Sequence, residues 1–189
     1  EYHFAPLDFE TVGVGVTKMF SSQPDLRAAS GHDWPTQAFV AGYITHLTAD
    51  ETWITHMFRP YFGNRAVFDD ETEGHVMDRA LQIELDRQSW GAVDVGLGLL
   101  DAATDRVNIG FIPRTTLVEW RQWVAGHLKN GFSWERLRFM ARRIAAGDDQ
   151  HRAHGLADDF LNTLPESLDA LHEVVPRADL AGFKTRTVD

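Results

Sequence analysis

The chain has 189 residues, 43% of them hydrophobic and 24% charged, a balance that lets one domain bury a real core. Its formal net charge of −10 makes a nucleic-acid polyanion an unsuitable main partner and opposes adsorption to anionic lipid. It contains no cysteine, which excludes disulfides, thiolate catalysis and Cys-type zinc sites together. No run approaches the ~20 apolar residues that a bilayer span needs, so no transmembrane segment is expected. The sequence opens on Glu1 instead of Met, on residues that read like a protein interior. The expectation is therefore one helical domain over residues 1–189, lacking an N-terminal segment of a longer chain. It should be soluble, and cytoplasmic where no signal peptide precedes it.

Helical periodicity is plentiful along the chain and strand signals are poor. A first helix is predicted over 9–22, before Pro24. Its Val12-Gly13-Val14-Gly15-Val16 run holds a Gly-x-Gly without the third glycine or the βαβ setting of a phosphate loop, and it reads as close helix packing. Asp33-Trp34-Pro35 is a helix start with a capping carboxylate and an early proline. That helix should run through Phe39, Tyr43, His46, Asp50 and Trp53 until Pro60 stops or bends it. Asp70 and Glu73 stand at capping-box spacing and open a helix carrying Val76, Ala80, Ile83 and Leu85. The glycine-rich stretch 91–110 reads as a short helix or an irregular turn. Thr116 and Glu119 form a capping box ahead of a helix with Leu117, Trp120, Val124 and Leu128 on one face. Further helices are predicted over 133–147, 153–164 and 166–175, the last stopping at Pro176. Short connections between such elements define an all-α, antiparallel multi-helix bundle.

His46 and Asp50 are four residues apart, which places them one turn apart on one helix face, close enough to hold a single ion. Imidazole with carboxylate suits zinc, and also manganese or iron. The flanking run, Ala41-Gly42-Tyr43-Ile44 with Leu47 and Ala49, is apolar or small, so these two polar groups need a partner. The competing reading of His-x3-Asp is a metal-free hydrogen bond across one turn. Glu71, His75 and Asp78 then share a face of the next helix, so two successive helices present imidazole and carboxylate at turn spacing, as helix bundles do when they hold metals. His56 lies ten residues after His46, about 80° away on an ideal helix, and suits a neighbouring metal or the surface equally. His151 and His154 read as capping or surface residues, His127 as a helix C-terminal partner of the dipole, and His32 as part of a turn. His172 sits in an amphipathic helix with no partner in view. Trp120, Trp123 and Trp134 read as core aromatics.

The segment from Ala38 to Asp50, with its Gly42-x3-His46-x3-Asp50 pattern and with His56 six residues beyond, resembles the metal-binding helix of the bacterial zinc-dependent phospholipase C family. Tyr2-His3-Phe4 is similar to a Ser-His-Phe segment of that family, some forty residues upstream of the same helix. The resemblance covers roughly the first third of the chain. It implies an all-α phosphoesterase holding one to three zinc ions, with His3, His46 and Asp50 sharing one zinc, Asp50 able to bridge to a second and His56 binding a third. The family's His-x3-Glu pair occurs here in reverse order as Glu71-x3-His75, and both residues are carried as candidate ligands. The family's remaining ligands, its N-terminal residue among them, would lie before Glu1.

The expected function is thus metal-dependent hydrolysis of a small phosphate ester, zinc being the metal and iron or manganese the alternatives. Asp50 would bridge metals or hold the water, and Glu71 would orient it or act as general base, a role Asp78 could share. The alternative is a non-catalytic helical binding domain with a structural or degenerate metal site.

Overall fold

In the computed structural model the described residues are 3–4, 8–63, 67–68, 70–102, 107 and 109–188. They form α1 (Val14–Ser22), α2 (Trp34–Trp53), a π-helical segment (Ile54–Phe62), α3 (Glu71–Ser89), α4 (Val93–Ala102), α5 (Arg114–Lys129), α6 (Arg136–Ile144), α7 (Ala153–Asn162), α8 (Glu166–Val174) and α9 (Arg177–Val188). Among the described residues there is no strand, so the all-α, multi-helix class expected from the sequence is the one observed. None of the described helices is long and apolar enough to cross a membrane. The chain divides into two compact units, Glu1–Thr52 with Gly91–Gly131, and Trp53–Trp90 with Phe132–Asp189.

In the first unit, α1 starts later than the periodicity predicts. Gly13 holds φ 100°, a left-handed conformation that breaks the helix on its N-terminal side and favours a residue without Cβ. Phe9, Met19, Leu26, Leu47 and Ile109 are buried here. Asp33 caps α2 as expected, its Oδ1 accepting from the Thr36 backbone N–H at 3.0 Å. The stretch after Gly91 resolves into α4, which packs against α5. The Thr116 capping box is corrected. Helix α5 already begins at Arg114, with Pro113 at φ −57° as its N-cap and no side-chain cap bond. The boundary therefore falls at Pro113, three residues before Thr116, and Thr116 lies inside the helix. Trp120 and Trp123 are corrected too: they are 60% and 58% exposed. Leu117, Val124 and Leu128 are the part-buried face of α5, and Trp123 stacks on His127 away from it at 5.4 Å between ring centroids.

The second unit holds a contiguous core that includes Met57, Val76, Leu81, Leu137, Ala157 and Leu180. Helix α3 packs on α6, α7 and the π-helical segment, and α6 packs on α7. Asp70 caps α3 through the Glu73 N–H at 3.0 Å. Pro60 does not stop the preceding helix but lies inside the π-helical segment. In α-geometry its ring would clash with the carbonyl four residues back, and the wider π turn relieves that clash. The Gly63 N–H closes the segment on the Phe58 carbonyl at 2.7 Å. Helix α3 meets this segment at Gly74, where a Cβ would lie 2.6 Å from the Phe62 carbonyl oxygen. Trp134 packs against the core as a core aromatic, part-buried. Helix α9 was not foreseen. Pro176 ends α8 and at once opens α9, its carbonyl accepting from the Asp179 and Leu180 N–H groups.

Two carboxylates are buried in α3. Glu84 is gripped by Arg87 through Nε at 2.6 Å and Nη2 at 2.8 Å, and by the Gln88 amide at 2.8 Å. Burial pushes its carboxyl up, but these hydrogen bonds outweigh that and hold it below its ordinary value. Asp78 accepts from Trp53 Nε1 at 2.8 Å and from Gln82 Nε2 at 3.0 Å. Here desolvation wins over Arg79 and the two hydrogen bonds, and the carboxyl is raised above 3.8. A raised carboxyl favours the protonated form in the folded chain. Its stabilising contribution is therefore complete below the unfolded value and is lost as pH rises through the folded one. Urea unfolding with chelator present, compared at acidic and at alkaline pH, should show Asp78→Asn gaining stability relative to the parent as pH rises above the ordinary carboxylate range. An equal stability difference at both ends would contradict the raised carboxyl.

Candidate metal centre

Helix α2 carries His46 and Asp50 on one face, and residues 3–4 bring His3 to the same place. His3 Nδ1 lies 3.0 Å from Asp50 Oδ2, and His46 Nε2 lies 3.7 Å from that same oxygen. The two imidazole rings are 5.1 Å apart, centroid to centroid, and tilted by 58°. Three donor atoms from His3, His46 and Asp50 all lie within 4.8 Å of one another, and among the described residues no other group of three does so. The side chains are 60%, 48% and 40% exposed, so the triad faces solvent.

An aromatic wall flanks the triad. Tyr43 lies one turn before His46, with ring centroids 5.9 Å apart. Phe39 stacks on Tyr43, and Phe4 and Phe111 meet it edge-on. The helical i, i+4 spacing of Phe39, Tyr43 and Leu47 generates this face from the sequence directly. Tyr43 is the member of this wall that meets the His46 ring.

A residue that sequence reasoning missed sits next to Asp50. Glu51 is only 3% exposed, and its carboxylate accepts from the Gly13 N–H and the Gly15 N–H, each at 2.5 Å. The Gly-x-Gly is indeed a site of close packing: a Cβ on Gly15 would stand 2.5 Å from Glu51 Oε1 and 2.8 Å from the His3 carbonyl oxygen. The signal available in the sequence was a glutamate inside an apolar helix together with a Gly-x-Gly that belonged to no phosphate loop.

The remaining candidates lie outside this triad, and His56, Glu71, His75 and Asp78 lie in the other unit. His56 falls in the π-helical segment, where an angle computed at 100° per residue from His46 no longer applies. Its Nδ1 is buried without a hydrogen-bond partner among the described residues. Glu71 and His75 face each other one turn apart on α3, with Oε1 4.0 Å from Nε2. His75 stacks on Phe58 at 5.6 Å, and both Glu71 and His75 line a pocket walled by Phe58, Phe62 and Phe68. Asp78 is buried on its Trp53 and Gln82 hydrogen bonds and is not presented on the Glu71–His75 surface. His32 and His154 bond backbone carbonyls of Asp25 and Asp148, and His151 accepts from the Ala153 N–H, in keeping with turn and capping roles. His172 is buried, with Nδ1 3.1 Å from the Val175 carbonyl. Tyr2 lies outside the described residues. No protein-family profile, curated protein or solved structure matches this chain.

Proposed function

We propose that His3, His46 and Asp50 hold a zinc ion and that the protein is a metal-dependent hydrolase of small phosphate esters. The observation that carries this reading is the convergence of two imidazoles on one carboxylate oxygen, from segments more than forty positions apart in the chain. Nitrogen and carboxylate donors are the set zinc takes in cysteine-free sites. The exposure of all three side chains supports a catalytic over a structural centre, because a catalytic zinc keeps one position open to water or substrate. The phospholipase C-like pattern from Gly42 through His46 and Asp50 to His56 supports phosphate esters as the substrate class. Zinc at such a site supplies Lewis acidity, polarising a phosphoryl oxygen and acidifying water.

The chain's own residues supply placement. Asp50 sets its Oδ2 between the two histidines and brings the negative charge that a divalent cation needs. Tyr43 packs beside the His46 ring and, with its aromatic neighbours, presents an apolar surface beside the site. Glu71 and His75 offer a second imidazole–carboxylate pair on α3, the groups the sequence suggested for further metal or for proton transfer.

The test is elemental analysis of protein dialysed against zinc, followed by hydrolysis of bis(p-nitrophenyl) phosphate. About one or more zinc per chain and zinc-dependent release of p-nitrophenolate are expected, both lost in the His46→Ala, Asp50→Ala double variant. A chain that retains no zinc, or a double variant that keeps its activity, would overturn the proposal.

A further inference from the structure

We propose that Glu51 is a positioning residue, which clamps the Gly13–Gly15 turn so that the His3 segment is held against Asp50. The inference rests on the metal reading for its purpose, and on metal-free geometry for its content. Asp50 and Glu51 are consecutive on α2 yet face different partners. Asp50 turns to the two histidines, while Glu51 is buried on the start of α1.

A buried carboxylate is costly unless its oxygens are satisfied. Here each oxygen of Glu51 takes one backbone N–H, from Gly13 and from Gly15. These donors sit at the N-terminus of α1, where the helix dipole also favours a negative charge. The glycines are required for different reasons. Gly13 supplies the left-handed turn at φ 100°, and Gly15 leaves the space into which both Glu51 Oε1 and the His3 carbonyl fit. The backbone of His3 therefore lies on the clamp, while its ring reaches Asp50, the residue beside the clamping glutamate. The two hydrogen bonds tie α1 to α2, and the close approach at Gly15 adds the His3 segment, so that a donor from a short stretch without helical structure is brought to the α2 pair.

The test substitutes Gly15→Ala, which places a methyl 2.5 Å from Glu51 Oε1 and 2.8 Å from the His3 carbonyl oxygen, crowding both sides of the clamp while leaving every proposed zinc donor intact. Alanine is favoured over glycine inside a helix, so α1 itself should persist, and far-UV circular dichroism checks this. In metal-free protein, the parent should give a nuclear Overhauser contact between the His3 and His46 ring protons, and Gly15→Ala should lose it. Zinc affinity, read by competition with a chromogenic chelator, should fall about 10- to 100-fold in Gly15→Ala, as for other groups that orient a ligand. In a His3→Ala background the same substitution should change affinity by less than about threefold, because the clamp acts through His3. Glu51→Gln, which keeps the size but one acceptor fewer, should move both readouts in the same direction and serves if Gly15→Ala does not fold.

A ring contact that persists in both variants overturns the clamp, as does an equal loss of affinity with and without His3. If the parent takes up no zinc while the ring contact behaves as expected, the metal reading falls and the clamp stands.

Discussion

Asp50→Ala is expected to lower zinc affinity by more than about 100-fold. Groups that merely orient a ligand cost 10- to 100-fold when removed, and a shared ligand costs more. Asp50 is the shared element of the triad, since both histidines approach its Oδ2 and neither imidazole has another triad carboxylate to face. Removing it leaves two neutral imidazoles 5.1 Å apart and deletes the only negative charge among the three donors. Asp50→Asn should fall between the parent and the alanine variant, because the amide keeps an oxygen but loses the charge. His46→Ala should also weaken binding, while leaving the 3.0 Å His3–Asp50 contact in place. Chelator competition on the purified variants measures all three. An Asp50→Ala protein that binds zinc within about threefold of the parent would remove Asp50 from the site and return the triad to a hydrogen-bonded cluster.

The triad was legible in the sequence to different degrees at its three positions. His46 and Asp50 follow from helical geometry alone, because four residues make one turn. His3 does not: nothing in its own neighbourhood marks it, and only the resemblance of Tyr2-His3-Phe4 to a family segment drew attention to it. Its partner is over forty residues away, and the contact is built by Glu51 and two glycines whose pairing leaves no periodic trace. The helices themselves were legible where a side chain does the capping, as at Asp33 and Asp70. They were misplaced where backbone conformation decides, as at Gly13 and Pro113, while at Pro176 the end of α8 was legible and the start of α9 was not. Proline is ambiguous in this respect: the missing N–H that ends one helix is harmless in the first turn of the next. The exposed Trp120 and Trp123 show the complementary failure, since aromatic size predicts burial only when a neighbouring element arrives to provide it.

Leu81→Ala should destabilise the second unit by about 2–5 kcal/mol, in the upper half of that range. Leu81 is completely buried on α3, and α6 and α7, which pack on α3, contribute Ala141, Ala153 and Ala157 to the same core, all equally buried. Small residues let helices approach closely, but they have no rotamers with which to fill a hole. Truncating the leucine should thus leave a cavity that its surroundings cannot collapse, and the cost of such a deletion grows with the residual volume. Leu99→Ala provides the contrast, because Leu99 is an exposed hydrophobic residue and its loss should change stability by no more than about 0.5 kcal/mol. Urea denaturation with chelator present compares the two without a contribution from bound metal. A Leu81→Ala cost below about 1 kcal/mol would mean that α3, α6 and α7 close around the gap, and that the alanine contacts are looser than drawn. The result bears on function as well as folding. Glu71 and His75 stand in the first turns of α3, and their i, i+4 alignment exists only while that helix is held in register by the core beneath it.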